Sequence, residues 1–229
     1  MGPYDFSMID PIKLSRIIEH YITSEISKKY YRFRKTQFYG GCATADCLGC
    51  NLRCVYCWAQ KKVWKPEKFG EFYAPKQVIQ RLLSMNLPLI RISGGEPTIF
   101  KRHLLELLKL VPKQITFILE TNGLLIDEEF IKGLIDFKNI YVRVSLKGID
   151  EETFELITGA KGQFFYNQLN ALDLLKKYGI NHRAAILYEL FTDDQIKSLK
   201  IPDLEFEPLI RYPFVLRNLS KKGIKIIRD

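Results

Sequence analysis

Residues 89–110 read LIRISGGEPTIFKRHLLELLKL and combine two kinds of hydrophobic spacing. Residues 89–93 form a short apolar run, typical of a buried strand, that leads into Gly94 and Gly95. From Arg102 to Leu110 the leucines recur at helical spacing. The stretch therefore predicts one strand–loop–helix unit, with a glycine-rich turn at the carboxyl end of its strand.

The same alternation of strand and helix patterns continues on both sides of this unit. The spacing predicts strands over residues 36–41, 89–93, 114–119, 140–146, 182–188 and 204–209, and helices over residues 75–85, 102–110, 128–137, 164–178 and 193–199. Strands that alternate with helices at this spacing indicate an α/β fold with parallel strands. About six such units are too few for a closed eight-stranded barrel, so the pattern predicts an open sheet or a partial barrel.

The chain begins with a separate helical pattern. Asp10 before Pro11 is typical of a helix start, and Ile17, Ile18 and Ile22 follow at helical spacing. We expect residues 1–35 to form an N-terminal helical extension and residues 36–229 to form one domain.

Composition excludes several classes of protein. The chain has 229 residues, 47% of them apolar, so it can bury a core and is not disordered. Its net charge of +9 favours acidic or polyanionic partners without identifying one. Charged residues interrupt every apolar run, and no export signal is visible. We therefore expect a cytoplasmic protein that makes no membrane contact.

All the cysteines of the chain lie within sixteen residues. They are Cys42, Cys47, Cys50, Cys54 and Cys57. Such clustering indicates a metal site rather than a disulfide framework. The C-x3-C-x2-C spacing of the last three brings three thiolates together, which suits a [4Fe-4S] cluster with one iron left open. Cys42 and Cys47 are expected to be ordinary strand or loop residues.

A zinc site is the alternative reading of the same cysteines. Cys47 and Cys50 form one CxxC pair and Cys54 and Cys57 a second, although zinc ribbons usually separate such pairs more widely. Residues 28–35 interleave five cations with three aromatic residues, as single-strand nucleic-acid binders do. The alternative function is therefore a zinc-stabilised RNA-binding module with no catalysis.

Two motifs together resemble those of the radical SAM superfamily. The cysteine segment 50–57, with the aromatic Tyr56 before its third cysteine, resembles the cluster motif of that family. Gly94, Gly95 and Glu96, followed by Pro97, resemble its GGEP loop. The chain is most similar to the compact type, represented by glycyl-radical-enzyme activases and 7-carboxy-7-deazaguanine synthases.

This resemblance implies a set of cofactor contacts. It implies that Cys50, Cys54 and Cys57 hold the cluster, and that S-adenosyl-L-methionine (SAM) is contacted by Tyr56, Gly94, Gly95, Glu96, Glu120, Ser145, Lys147 and Arg183. In the family pattern the GGEP loop receives the methionine amino group, the lysine meets the carboxylate, and the serine meets a ribose hydroxyl. Glu96 before a proline also fits a plain helix cap, which is the simpler interpretation of that residue.

The resemblance also implies a fold and an activity. The expected fold is a partial (βα)6 TIM-like barrel with parallel strands, preceded by an N-terminal helix. The expected activity is reductive cleavage of SAM to a 5′-deoxyadenosyl radical, which abstracts hydrogen from an unidentified substrate, a protein or RNA being candidates. A flavodoxin- or ferredoxin-type electron donor is the implied partner, and the substrate-specific catalytic residues are unknown.

Alternation along residues 140–146 predicts where the site lies. Tyr141, Arg143 and Ser145 fall on one face, together with Lys147 just beyond the strand, and apolar residues fall on the other. A barrel that holds an amino acid and a nucleoside needs polar groups inside it. We therefore expect the polar face to point into the barrel.

Overall fold

The computed structural model describes residues 9–228 as one mixed sheet with helices packed on one side. The strands are β1 Thr23–Ser24, β2 Ser27–Thr36, β3 Cys42–Cys47, β4 Glu71–Tyr73, β5 Leu89–Gly94, β6 Thr116–Thr121, β7 Ile140–Leu146, β8 His182–Leu187 and β9 Glu205–Glu207. The helices are α1 Pro11–Ile22, α2 Gln60–Val63, α3 Pro75–Leu83, α4 Lys101–Leu110, α5 Glu128–Leu134, α6 Glu151–Thr158, α7 Phe165–Lys177, α8 Asp193–Ser198 and α9 Pro213–Lys221.

The sheet is a partial barrel of six parallel strands with an antiparallel edge. Its strand order is β1-β2-β3-β5-β6-β7-β8-β9, and β4 pairs with β2 beside this path. Strands β3, β5, β6, β7, β8 and β9 pair in parallel. The predicted α/β fold with six parallel strands is confirmed.

Alternation along the strands separates a core side from an interior side. On β5, Ile90 and Ile92 pack with helical residues such as Leu104 in the main apolar core, while Arg91 and Ser93 face the interior. Burial also alternates strictly along β7. The helices therefore cover one face of the sheet, and the other face is left for polar side chains.

The predicted first strand over residues 36–41 is wrong. Phe38–Gly40 forms a tight turn, in which Tyr39, Gly40 and Gly41 all have positive φ. This turn joins β2 to β3, which pair as an antiparallel hairpin. The aromatic residues resembled a strand, but the Gly40-Gly41 pair supplies backbone conformations that a turn needs.

Only part of the segment 1–35 is helical. Asp10 caps α1 by accepting from the backbone N–H groups of Ile12 and Lys13, both at 3.0 Å, as predicted. The helix ends at Ile22, and Ser27–Thr36 is a strand of the sheet. The helical expectation is corrected there because pairing with β3 sets its conformation, and residues 1–8 lie outside the described residues. The domain boundary at residue 35 stays a prediction.

Helix α6 was missed by the sequence patterns. Asp150 accepts from the backbone N–H of Thr153 at 2.8 Å, and Gly159 ends the helix in the left-handed conformation. The capping signal was visible in the sequence, but the helix has only eight residues.

Within residues 9–228, no helix combines the length and apolar character needed to cross a bilayer.

Candidate functional site

The carboxyl ends of the parallel strands surround a cavity of about 500 Å³. Parallel α/β folds place their ligands at this end of the sheet. The strands and their following loops contribute residues predicted from the sequence, namely Cys50, Cys54, Tyr56, Cys57, Gly94, Gly95, Glu96, Glu120, Ser145 and Lys147. The structure therefore brings four separate motifs to one cavity.

The cysteine loop that follows β3 is tied to helix α6. The backbone N–H groups of Arg53 and Val55 donate to the carbonyls of Thr158 and Ile157, at 3.0 and 2.9 Å. A further backbone bond of 3.0 Å joins Cys57 to Cys54 and closes the turn. These bonds hold the loop over the end of the sheet.

Three thiols of this loop share an environment suited to a metal cluster. Burial is the main cause that raises the pKa values of Cys50, Cys54 and Cys57, that of Cys57 to about 12. Charge on Cys54 further raises the pKa of each of its two neighbours, so the three thiols are electrostatically coupled. Thiolates are the ligands of iron–sulfur clusters, and the positive charge of bound iron offsets the cost of ionising them. The three thiols therefore fit an iron–sulfur cluster held by three cysteines.

The remaining two cysteines lie within β3, as expected for strand residues. Cys42 is fully buried, with its Sγ 3.0 Å from Thr36 Oγ1. Cys47 is also fully buried and packs in the main core, where burial raises its pKa to about 11. Cys47 therefore packs in the core, whereas the three loop cysteines line the cavity, and the structure does not bring Cys47 together with them as the zinc site would require.

The GGEP loop packs directly on the chain that enters the cysteine loop. The backbone N–H groups of Gly95 and Glu96 donate to the carbonyls of Cys47 and Gly49, at 2.8 and 2.7 Å. A Cβ on Gly95 would lie 2.1 Å from the Gly49 carbonyl oxygen, so a side chain is excluded there. Gly94 has φ of +93°, which favours glycine. The two glycines let the two motifs meet.

Glu96 is buried and its carboxylate already has protein partners. One oxygen accepts from the Thr98 N–H at 3.0 Å and from the Thr98 and Thr121 hydroxyls at 2.5 and 2.7 Å. The other accepts from the Asn122 N–H at 2.7 Å. The plain capping interpretation of Glu96 is thus confirmed, and the predicted contact with the methionine amino group stays a prediction.

A buried amide network connects the cysteine loop to the ends of β6 and β7. Asn122 donates its side-chain amide to Asn51 Oδ1 at 2.8 Å. Gln168, from α7, donates to the carbonyls of Asn122 and Ser145 at 2.5 and 3.1 Å, and accepts from the Lys147 N–H at 3.0 Å. In the part of the chain described, the buried Asn51 Nδ2 has no acceptor. These bonds fix the strand ends relative to the cysteines.

Glu120 stands inside the barrel at the centre of a hydrogen-bonded group. It accepts from Tyr39 Oη at 2.7 Å, from Ser93 Oγ at 2.6 Å, and from Arg91 at 3.2 Å. Burial and the adjacent Glu120 charge raise the pKa of Tyr39, so its phenol stays protonated as a donor. The predicted residue Glu120 therefore lines the cavity with its carboxylate held by protein groups.

Lys147 lies beside Tyr56 and Ser145, two other predicted contacts. Its Nζ donates to Ser145 Oγ at 2.5 Å and lies 5.7 Å from the centre of the Tyr56 ring. Burial alone would lower the pKa of Lys147, but Tyr56 and the Glu207 carboxylate hold it above its usual value. The lysine is therefore a permanent cation facing the cavity.

The predicted polar face of β7 is confirmed. Arg143, Ser145 and Lys147 line the cavity, whereas Tyr141, on the same face, donates to Glu205 at 2.7 Å and does not line it. Arg143 donates to Glu205 and Glu207 of β9 at 2.5 and 2.6 Å. The two glutamates were not among the predicted site residues, although their i, i+2 spacing on a strand was a usable signal.

Arg183 is the predicted contact that the structure does not bring to the cavity. It is the second residue of β8, near the amino end of that strand, and it pairs with Asp203 at 3.0 Å. The cavity forms at the opposite, carboxyl end of the sheet. Position along the strand, rather than residue type, separates Arg183 from the site.

The basic segment 28–35 does not form an exposed cationic face. Lys28 is fully buried, and its Nζ donates to the carbonyls of Glu96 and Pro97 at 3.1 and 2.8 Å. Arg32 and Arg34 line the cavity instead, as does Trp58. The RNA-binding alternative therefore loses the exposed basic segment on which it rested, and the two arginines become site residues that the patterns missed.

Comparison with known proteins agrees with this geometry. Residues 47–199 match the radical SAM superfamily. The Fe-coproporphyrin III synthase of Methanosarcina barkeri is 41% identical over 116 residues, which cover 50% of this chain and 29% of that protein. The 7-carboxy-7-deazaguanine synthase of Methanothermobacter thermautotrophicus is 29% identical over 139 residues, covering 58% of this chain and 55% of that enzyme.

Solved structures share the fold at low identity. The structure of anSMEcpe with bound AdoMet superposes with a TM-score of 0.53 at 23% identity, covering 76% of this chain and 55% of that one. Streptococcus suis SuiB bound to its precursor peptide SuiA gives 0.58 at 18% identity, covering 78% and 45%. The chain spans from about a third to about half of the length of the curated relatives named here. Because the family match covers most of the chain, the protein belongs to the radical SAM superfamily, whose enzymes use a [4Fe-4S] cluster and SAM.

Proposed function

We propose that Cys50, Cys54 and Cys57 hold a [4Fe-4S] cluster with one iron open for SAM, and that the enzyme abstracts hydrogen from a substrate in the same cavity. The observation that carries the proposal is that the three thiols and the GGEP loop line one cavity. When bound, the cluster supplies the electron that cleaves SAM to methionine and a 5′-deoxyadenosyl radical. The electron would come from a flavodoxin- or ferredoxin-type donor.

The residues around the cysteines would bind and orient SAM. Lys147 would meet the methionine carboxylate, because it is a half-buried cation facing the cavity. Ser145 would meet a ribose hydroxyl, and Glu96 and Glu120 would accept hydrogen bonds from the amino group and the nucleoside. Gly94 and Gly95, which lack side chains, would let backbone approach the ligand.

The protein's contribution would be positioning and exclusion of water. The amide network from Asn51 to Gln168 fixes the distance between the cysteine loop and the end of β7. Ion pairs between Arg143 and the two β9 glutamates join β7 to β9 in the cavity wall. Walls held in place by such bonds would confine a reactive radical to one substrate position.

Anaerobic reconstitution with iron and sulfide tests the proposal. A brown protein with about four irons per chain, which forms 5′-deoxyadenosine from SAM when reduced, would support it. A colourless protein with about one zinc per chain and no SAM cleavage would contradict it. Iron and zinc content, visible absorbance and product analysis are measured on the same sample.

A further inference from the structure

We infer that Arg32 and Arg34 form a binding site for an oxyanion group, a carboxylate or phosphate, of the substrate. The inference rests on the proposed function, because it assumes that the substrate enters the cavity with SAM. Two guanidinium groups in the cavity wall carry it, because within residues 9–228 their terminal amino groups have no protein acceptor.

A β-bulge directs the two arginines into the cavity. The pairing of β2 with β3 shifts register between Tyr30 and Arg32. Tyr30 lies on the helix side, with its ring 5.7 Å from that of Phe33. Without the bulge, Arg32 would share the face of Tyr30, because strand residues two apart point the same way. Bulges of this kind re-aim side chains next to active sites.

Both arginines are held in place before any ligand arrives. Their Nε atoms donate to the same oxygen of the fully buried Asp46, at 2.7 and 2.9 Å. Their guanidinium groups lie over the Trp58 ring, at 5.3 and 5.9 Å from its centre. Such anchoring removes much of the entropy cost that flexible arginines pay on binding a ligand.

The terminal amino groups of the pair remain available. Across residues 9–228, Arg32 and Arg34 each hydrogen-bond to protein through Nε alone. The planar forks that remain match the oxygens of a carboxylate or phosphate. Both side chains are partly exposed to the cavity, so a ligand can reach them.

The pair also has a local excess of positive charge. Elsewhere in the cavity wall, Arg91 pairs with Glu120 and Arg143 pairs with the two β9 glutamates. On β2, by contrast, two arginines share the single carboxylate of Asp46. An anionic group is therefore attracted to the β2 wall. The predicted SAM contacts of β5 to β7 lie across β3 from this wall.

The test titrates two probe anions into the folded chain without reduction, once before and once after anaerobic reconstitution of the cluster. Inorganic phosphate is followed by ³¹P and acetate by ¹³C nuclear magnetic resonance line width. We expect saturable broadening with at least one anion, and the anion that binds identifies the substrate as a phosphate or a carboxylate compound. Arg32→Gln and Arg34→Gln should each weaken this binding about tenfold or more, because a charge-assisted, two-pronged contact is lost.

Arg81→Gln is the matched control. Arg81 also lies over two aromatic rings, those of Tyr73 and Phe33 at 4.8 and 5.2 Å, but it does not line the cavity. Its substitution should leave anion binding unchanged. If a glutamine variant loses its cluster, the lysine variant at the same position, Arg32→Lys or Arg34→Lys, is used instead. Lysine keeps the positive charge beside Asp46 but lacks the planar guanidinium fork, so we again expect weaker anion binding.

Three results would overturn the inference. They are no saturable binding of either anion, equal binding by wild type and the arginine variants, and a parallel loss of SAM affinity in those variants, which would assign the pair to SAM. Iron content and 5′-deoxyadenosine formation by the wild type are recorded separately. A wild type without cluster or SAM cleavage would contradict the proposed function, whereas the anion titration reports on the arginines alone.

Discussion

Two groups of cysteines only three residues apart in sequence have different surroundings. Cys42 and Cys47 belong to β3 and are fully buried, one against threonine hydroxyls and the other in the apolar core. Cys50, Cys54 and Cys57 follow the strand and line the cavity. The end of β3, rather than cysteine spacing, separates the two groups.

The difference shows how a strand end divides structural from functional roles. Inside β3 the backbone is paired on both sides, so its side chains must fit between the sheet and its neighbours. Past Cys47 the chain leaves the sheet, and backbone bonds join it to α6 and the GGEP loop. The thiols of Cys50, Cys54 and Cys57 therefore remain accessible from the cavity, and a bound cluster requires that access.

Removing one cysteine from each group tests directly whether only the cysteines after β3 bind the cluster. We expect Cys54→Ala to abolish cluster binding, because two remaining thiolates do not hold the cluster stably. Cys42→Ala should leave the iron content close to that of wild type. Iron assays on both reconstituted variants measure the effect.

The same assay has a clear contradictory outcome. If Cys42→Ala loses the cluster as completely as Cys54→Ala, the division at the end of β3 is wrong. Circular dichroism of both variants before reconstitution checks that the chain is folded. A folded Cys54→Ala that retains full iron would equally contradict the ligand assignment.

Much of the site was predictable because its information is local. The strand–GGEP–helix unit spans residues 89–110, and the cysteine spacing and the alternation along β7 span residues 50–57 and 140–147. Because parallel strands end at one edge of a sheet, local patterns at successive strand ends are brought together by the fold itself. Hence Cys54, Gly95, Ser145 and Lys147 share the cavity.

The parts that were not predictable depend on contacts distant in sequence. By its composition, segment 28–35 resembles the charged end of a helix, but in the structure it pairs with β3 as a strand. The bulge in that pairing determines the face on which the Arg32 side chain lies. Arg183 has a suitable residue type but lies at the wrong end of β8. Pairing register and depth along a strand are set by tertiary packing, which propensity does not report.

A smaller effect is expected behind β3, on the helix side of the sheet. His103 is buried there, with Nδ1 2.7 Å from the Ile26 carbonyl and Nε2 3.0 Å from Tyr30 Oη. A carbonyl only accepts, so Nδ1 donates to it and Nε2 accepts from the tyrosine. Burial, reinforced by the charge of Lys28, lowers the pKa of His103 to about 4.

Protonation of this histidine should therefore oppose folding. Because the pKa of the folded state lies below that of the unfolded chain, the unfolded chain binds more protons between about pH 4 and 6.5. The stability present above this range is lost as pH falls through it, by up to about 3 kcal/mol. Urea unfolding of wild type and His103→Gln across that range should show a smaller pH dependence in the variant.

Tyr30→Phe is the control for that experiment. It removes the hydroxyl that donates to Nε2 but keeps the buried imidazole, so the free energy of unfolding should fall near neutral pH. The loss of stability on acidification should persist, because burial is the main cause of the lowered pKa of His103. Parallel pH profiles for wild type and His103→Gln would show that other groups cause the acid sensitivity. That result would remove His103 as a titrating group behind the sheet.

The smallest effect concerns Lys147, the half-buried cation on the cavity side. Its ammonium should bind the methionine carboxylate of SAM with about 1.5 to 3 kcal/mol, or about ten to a hundredfold in affinity. Lys147→Ala should therefore keep its iron and its fold but bind SAM more weakly by that factor.

Lys147→Met keeps most of the aliphatic stem over Tyr56, so an equal loss in this variant assigns the effect to the charge. Calorimetric titration of the reconstituted, unreduced proteins with SAM measures both. An affinity within about twofold of wild type, well short of the 1.4 kcal/mol of a tenfold loss, would instead make Lys147 a structural partner of Ser145 and Glu207.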